Sequence, residues 1–594
     1  MSAPSAGGGR KRLAKTLTLT DTWAIATGAM FSSGFFLLPG VATAQTGTSV
    51  VLAYAVAGLL VIPAMLSQIE LSTAMPRAGG TYFFIDRALG PMAGTVGGAG
   101  AWITLVLKSG FALVGLGAVL TLLLNLPTVA IAAGFGAAFT ALNMRGADHS
   151  SSIQRILVAV LVGTMSIFIV DGMVHAWGNP AEVAASAWGT DPFFSNGFGG
   201  FIATVGLVSV SYAGLTKVAS VAEEVRNPDR NLPWGMILAL VTATVLYAAG
   251  VTVLLMVLPA ATLHTDLSPV ASAAAVVFDG PLASAGRWIV VAAAVAAFVS
   301  TANAGVLAAA RYPLAMARDG LAPKAFAAIS DSGVPRIGVA VTGVAIIASV
   351  LVLDVSSLAK LASAFQLLLF GLICFCVIVM REARIEAYRP GFKSPLYPGM
   401  QIAGMIVAVA LISAMGLKPV AFTFTVVVLS IAAYLVFARK NIERTGTILH
   451  VFRRLGRGAT PYVERELGAL HAERALEDGD RCADMVGHAV VEPGSPVAAL
   501  NGKRLREAVL PDHVLVVLVA RGGDVFVPTG DDVLREGDRL TIVGRPEALA
   551  QIGDAIEAVP TSDPKPAVAG PKSDADSETG PPDDTSGTLE PFPA

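Results

Sequence analysis

Between residues 21 and 438 the chain is a succession of twelve apolar stretches, near 21–44, 50–75, 92–125, 127–144, 152–176, 197–222, 233–259, 285–317, 337–353, 357–381, 398–416 and 419–438. Most match the length that a helix needs to cross the hydrocarbon core of a bilayer. Within that core no water is present to satisfy backbone N–H and C=O groups, so each crossing has to bond to itself as an α-helix. The stretches near 92–125 and 285–317 exceed the required length, which predicts tilt or extension beyond the membrane.

Lys and Arg are sorted between the loops in a way that orients the chain. Arg10, Lys11, Arg12 and Lys15 precede the first span, and basic residues follow the second, fourth, sixth, eighth, tenth and twelfth. The intervening loops are nearly bare: 178–196 has neither Lys nor Arg, and 258–286 has none. The pattern predicts both termini on the cytoplasmic side of the cytoplasmic (inner) membrane, with Met1–Thr20 as a cytoplasmic tail rather than a removable leader. A chain that is 54% hydrophobic and 14% charged, with mean hydropathy +0.67, is no soluble single-domain enzyme. Its net charge of −2 names no partner, and nothing in it suggests nucleic acid. Three cysteines provide no disulfide framework, and neither they nor the seven histidines show metal-ligand spacing.

Two of the spans carry helix-averse residues at mid-depth. In the first, Gly28, Ser32, Ser33, Gly34 and Pro39 fall within thirteen residues; in the sixth, Gly206-Leu-Val-Ser-Val-Ser-Tyr-Ala-Gly214 does the same. Small residues also serve close helix packing, so either run alone is ambiguous. Paired interruptions in the opening helices of two successive five-helix sets point to a transporter site, where bare amides meet anionic groups and bare carbonyls meet cations.

The run Gly28-x-x-x-x-Ser33-Gly34-Phe-Phe-x-x-Pro39-Gly40 resembles the first-helix motif of the amino acid–polyamine–organocation permeases. Glu70-Leu71, Pro76-Arg-Ala-Gly-Gly-Thr-Tyr82, Asn143-Met-Arg-Gly146, Ala222-Glu-Glu-Val-Arg-Asn-Pro228 and Arg311-Tyr-Pro-Leu-Ala-Met-Ala-Arg-Asp-Gly320 extend the resemblance in order through the eighth span. It implies an all-α polytopic membrane protein of about twelve helices, with a LeuT-type five-plus-five inverted repeat at 21–440 and alternating access around a midplane site. It also implies that Ser32, Ser33 and Gly34 hold a substrate carboxylate. Ser211, Tyr212, Ala213 and Gly214 would then face the ammonium group, with Tyr212 as a wall or gate. Ser32 stands where the family usually has Gly.

The coupling ion is left open between sodium and a proton. Many proton-coupled relatives have a lysine in the fifth span, but the matching position here is Leu161 and that span has no lysine. Ser300 and Thr301 sit at a depth suited to sodium ligation, though such hydroxyls also bond carbonyls one turn back. Lys108 is the sharper signal, because a lysine centred in a membrane helix costs at least ~2.5–3.5 kcal/mol on insertion scales and is functional by default. It lies too deep in its span to snorkel easily, which suits a fixed cation or proton carrier. Glu70, Asp86 and Arg87 read as charges at membrane edges, solvated in most cases, with salt-linked gates as the alternative.

After the last span come a linker at 441–484, a small α+β domain at 485–555, and a tail at 556–594 rich in Pro, Ser, Asp and Gly that predicts disorder. Within the domain, runs at 514–519, 524–527 and 539–543 predict strands, and 505–509 and 546–556 helices. Gly494-Ser-Pro-Val-Ala-Ala-Leu-Asn-Gly-Lys503, Leu518-Val-Ala-Arg-Gly-Gly-Asp524 and Gly537-Asp-Arg-Leu-Thr-Ile-Val-Gly544 resemble the TrkA C-terminal (RCK-C) domain. That resemblance implies regulation, a homodimer through the domain, and in some relatives cyclic di-AMP or another nucleotide as ligand. No phosphate loop or nucleophile elbow suggests catalysis. The expectation is a secondary transporter of amino acids or related amines. Its rivals are a potassium transporter under nucleotide control and a nutrient or nucleotide sensor that no longer transports.

Overall fold

The computed structural model describes residues 15–448 except 77–79, 122, 146–150, 279–282, 331–333, 386–387 and 439–445. It further describes 451, 485–491, 493, 497, 500–507, 514–521, 524–526, 528–544 and 559–560. The expected N-terminal tail up to residue 14, nearly all of the linker at 441–484 and the helix at 546–556 lie outside these residues, as does the tail apart from 559–560. The chain divides into two units, Met1–Leu455 and Gly456–Ala594.

The first unit is helical, with helical segments inside each of the twelve apolar ranges. The first range breaks into α1 (Leu19–Met30), α2 (Ser33–Phe36) and α3 (Leu38–Thr46), followed by α4 (Val50–Ala74) and α5 (Gly80–Leu89). Next come α6 (Pro91–Thr121), α7 (Thr128–Arg145) and α8 (Ser151–Gly178). Two short helices, α9 (Pro180–Ala185) and α10 (Ala187–Thr190), fill the long loop before α11 (Gly197–Val208) and α12 (Leu215–Ser220). The order continues with α13 (Pro228–Val257), α14 (Ala260–Thr265), α15 (Pro269–Val277) and α16 (Ala283–Arg318). It ends with α17 (Arg336–Val352), α18 (Val355–Glu382), α19 (Gly399–Ala414) and α20 (Leu417–Ala433). Among the described residues, eight helical stretches are long and apolar enough to cross a membrane; α17 and α19 are apolar but shorter.

The helix α6 sits at the centre of the unit, packed against α5, α7, α16, α17, α18 and α20. At 31 residues it is about 46 Å long at 1.5 Å per residue, which agrees with the excess length read from the sequence. Peripheral helices carry the apolar outer surface: α20 exposes Phe424 and Leu429, and α19 exposes Ile406 and Val409. In water such a surface would be a liability, whereas hydrocarbon accommodates it.

In the second unit the described strands β1 (Met485–Val490), β2 (Val514–Arg521), β3 (Asp524–Phe526), β4 (Arg539–Gly544) and β5 (Val559–Pro560) form one antiparallel sheet. The strand order is β3-β2-β4-β1-β5. Register slips between Val516 and Leu518, and this irregularity explains why both Val516 and Val519 face the core despite their odd spacing. Asp538, fully buried before β4, receives Arg521 Nε at 2.7 Å, Arg521 Nη2 at 2.6 Å and the Arg535 amide at 2.8 Å. The guanidinium holds its carboxyl below the usual aspartate range.

Candidate functional site

The first apolar range is interrupted where its residues are poorest at holding a helix. After Met30, Phe31 is extended (φ −73°, ψ 98°) and Ser32 departs further (φ −162°, ψ −120°) before α2 begins. Ser33 and Gly34 open that new helix, so their amides have no carbonyl one turn earlier. Beyond Thr27, which accepts from the Phe31 amide at 2.9 Å, the carbonyls at the end of α1 lose their helical partners for the same reason. Pro39 falls in the first turn of α3, where its missing N–H costs nothing.

The sixth range is interrupted more mildly. It tightens into a 3₁₀ turn at Ser209–Tyr212 between α11 and α12, with residues at both ends of the turn still in the right-handed helical region. A side chain from α18 takes up the groups this releases: Ser363 Oγ donates to the Leu207 carbonyl at 2.6 Å and accepts from the Val210 amide at 3.2 Å.

The two interruptions touch. A Cβ at Gly34 would lie 2.6 Å from Ser211 Oγ and 2.9 Å from its Cα, and a Cβ at Gly214 would lie 2.7 Å from the Ala26 carbonyl oxygen. Only glycine fits either contact without displacement. Three buried tyrosines tie the junction together. Tyr54 donates to the Gly34 carbonyl and Tyr212 to the Tyr54 carbonyl, each at 2.8 Å. The Tyr247 hydroxyl lies 2.8 Å from the Met30 carbonyl oxygen and 3.3 Å from that of Ser211, spanning both interruptions. Gly40 in α3 is packed as tightly, since a Cβ there would meet the Leu263 and Asp266 carbonyls at 2.7 and 2.6 Å.

Beneath this junction is a cavity of about 180 Å³. It runs from Gly28 and Ala29 at the end of α1, past Ala213 and Gly214, toward Arg311 and Ala315 on α16. Lys108 borders it at 7% exposure and donates from Nζ to the Ala29 carbonyl at 2.8 Å. The lysine thus caps the negative end of the first half-helix, where a cation is stabilised both by the Ala29 carbonyl and by the helix dipole. Ser300 and Thr301 border the same cavity from α16.

Of the residues singled out in the sequence, Lys108, Ala213, Gly214, Ser300 and Thr301 line the cavity. Ser32, Ser33, Gly34, Ser211 and Tyr212 do not; they are buried at the contact between the two interruptions. Leu161 lies elsewhere, beside Ala293 and Ala296 in an apolar groove. Sequence reasoning missed Tyr54, Tyr247, Ser363, Lys217 and Gln366. Lys217 left a signal, a charge three residues beyond the Gly214 interruption; the others are ordinary polar residues in apolar helices until long-range packing gives them partners.

Glu70, for which the sequence favours a solvated edge over the salt-linked alternative, takes the salt-linked form. It is fully buried and bound at both oxygens: Arg381 Nε reaches Oε1 at 2.7 Å and Nη2 reaches Oε2 at 2.6 Å. The Tyr388 hydroxyl donates to Oε1 at 2.9 Å, and the Ser394 amide and hydroxyl to Oε2 at 2.8 and 2.7 Å. The carboxylate therefore fastens α4 to α18 and to the segment that follows it. Asp86 is also buried, at 4% exposure.

Comparison with known proteins adds two family matches. A model described as amino acid permease matches residues 21–441, and one described as TrkA-C domain matches residues 489–556. Among similar proteins is the vacuolar cationic amino acid transporter 4 of Arabidopsis thaliana, 31% identical over 63% of this chain and 64% of its own length. A methylthioribose transporter of Bacillus subtilis is 29% identical over 66% of this chain and 86% of its own. A branched-chain amino acid permease of the same bacterium is 27% identical over 74% and 96%.

Proposed function

The chain belongs to the amino acid permease family, and from that premise we propose a secondary active transporter that moves amino acids across the membrane by alternating access. The family and its relatives are transporters rather than enzymes, and the chain is a multi-pass membrane protein. The observation that carries the reading is the contact of two interrupted helices, at Gly34 with Ser211 and at Gly214 with Ala26, beside a cavity that Gly28, Ala29, Ala213 and Gly214 border. Discontinuous helices meeting at mid-depth are how secondary transporters expose peptide groups to a substrate while staying able to rock.

In this reading the twelve apolar ranges are twelve crossings of the cytoplasmic membrane with both termini inside, arranged as two inverted sets of five plus two. The cavity then opens to the cytoplasm. Moving the two sets apart on the opposite side frees the Ser33 and Gly34 amides for the substrate carboxylate. Lys108 is the coupling group. While protonated it holds the Ala29 carbonyl and anchors the end of α1; on losing its proton it releases that charge-assisted bond and lets the half-helix move. The TrkA-C domain supplies regulation, with a nucleotide as the class of ligand. A potassium carrier is disfavoured by the cations that line the cavity.

Purified protein in liposomes, offered labelled amino acids under an imposed proton or sodium gradient, tests the proposal. Accumulation above equilibrium supports it. Binding without flux favours a sensor, and uptake of rubidium instead of amino acids favours the cation carrier.

A further inference from the structure

The charges around the cavity are of one sign. Lys108, Lys217 and Arg311 all border it, and the residues lining it include no Asp, Glu or His. They are graded in depth: Arg311 is exposed, Lys217 half-buried and Lys108 buried. Arg311 and both lysines share the wall of this one cavity. Lys108 spends one donor on Ala29, while the side chain of Lys217 makes no hydrogen bond or ion pair among the described residues. Gln366, buried on α18 and bordering the same space, has a side-chain amide nitrogen with no hydrogen-bond partner. Mutual repulsion between cations withdrawn from water is unfavourable unless a counter-charge arrives.

We propose that this counter-charge is the substrate itself: an amino acid with an acidic side chain. The inference rests on the transport reading and narrows its substrate class. A neutral amino acid is a zwitterion and leaves the excess positive charge where it was. A basic one adds to it. An acidic amino acid brings a net negative charge: its α-carboxylate is the one that the freed Ser33 and Gly34 amides receive, and its side-chain carboxylate falls among Lys108, Lys217 and the Gln366 amide. Arg311 at the mouth favours entry of the anion. A cavity of about 180 Å³ exceeds the space one water needs by roughly an order of magnitude, so it admits a molecule rather than a lone ion.

The test compares labelled L-glutamate, L-leucine and L-arginine on the same proteoliposomes. Calorimetric binding of each amino acid to detergent-solubilised protein runs beside it. The expected result is glutamate uptake about tenfold or more above leucine, with arginine excluded. Lys217→Gln should shrink that preference about tenfold, and Lys217→Glu should turn it toward arginine. The reversal is a readout that a fold defect cannot imitate. Leucine or arginine preferred by the unsubstituted protein overturns the inference while leaving the transporter intact, as does a preference untouched by both Lys217 variants. Glutamate binding without flux of any amino acid upholds the charge assignment and overturns transport. Neither binding nor flux overturns both.

Discussion

Lys108 shows what one residue can and cannot disclose. Its cost in mid-membrane marks it as functional from the sequence, because an ammonium in an apolar helix needs a partner. The partner is the Ala29 carbonyl, seventy-nine residues away, and only the fold supplies it. Lys108→Met should abolish concentrative uptake while leaving folding intact, read as gradient-driven accumulation beside the elution profile of the purified protein; unchanged uptake would remove Lys108 from the mechanism. Glu70 makes the opposite case. Its position near the end of an apolar run favours a solvated edge and leaves a salt link as the alternative, and the salt link forms: Arg381, Tyr388 and Ser394 converge on it from a part of the chain over three hundred residues distant. Removing one partner leaves a buried charge unmatched, so Arg381→Met should destabilise the unit by about 3–5 kcal/mol. A thermal unfolding midpoint in detergent equal to that of the unsubstituted protein would contradict this.

At the scale of elements, both interruptions were legible as clusters of Gly, Ser and Pro, since these residues weaken a helix by local physics alone. Their unequal character was not. The first range breaks outright at Ser32, whereas the sixth only tightens, because Ser363 from α18 satisfies the groups that the turn releases. Tyr247, which spans both, belongs to a third helix that looks featureless in one dimension. Contact through glycine is testable: Gly34→Val or Gly214→Val should force the two elements apart and abolish substrate binding, measured by calorimetry, and normal affinity would count against the junction. In the second unit the strands at 514–521, 524–526 and 539–544 follow the alternation read from the sequence. The register slip that brings both Val516 and Val519 inward depends on pairing with β4 and was not visible. Asp538 contributes there through its bonds to Arg521 and Arg535. Because its carboxyl is held below the usual range, that stabilisation is present above the ordinary aspartate value and is lost as pH falls through the lowered one. Asp538→Asn should remove this acid dependence and cost about 1–3 kcal/mol at neutral pH. An unfolding midpoint for the C-terminal domain that matches the unsubstituted protein across acidic pH would argue otherwise.

For the whole molecule, apolar run lengths disclosed a helical membrane unit followed by a separate small domain, because burial in hydrocarbon and burial in a water-soluble core demand different compositions. The cavity's composition was beyond that reading, since Lys108, Lys217 and Arg311 come from three helices and meet only in space. If the two units divide the labour as proposed, deleting the chain beyond about Thr445 changes the rate or ligand response of uptake and leaves the order of substrate preference as it was; a changed order would contradict that division. The most direct measurement of the central claim is counterflow. Liposomes carrying the protein are loaded with unlabelled amino acid and diluted into a trace of the labelled form, with no ion gradient. A carrier whose junction opens to one side at a time predicts a transient overshoot of label inside, above its external concentration. Label that only rises to equilibrium, or never enters, would contradict alternating access at these two helices.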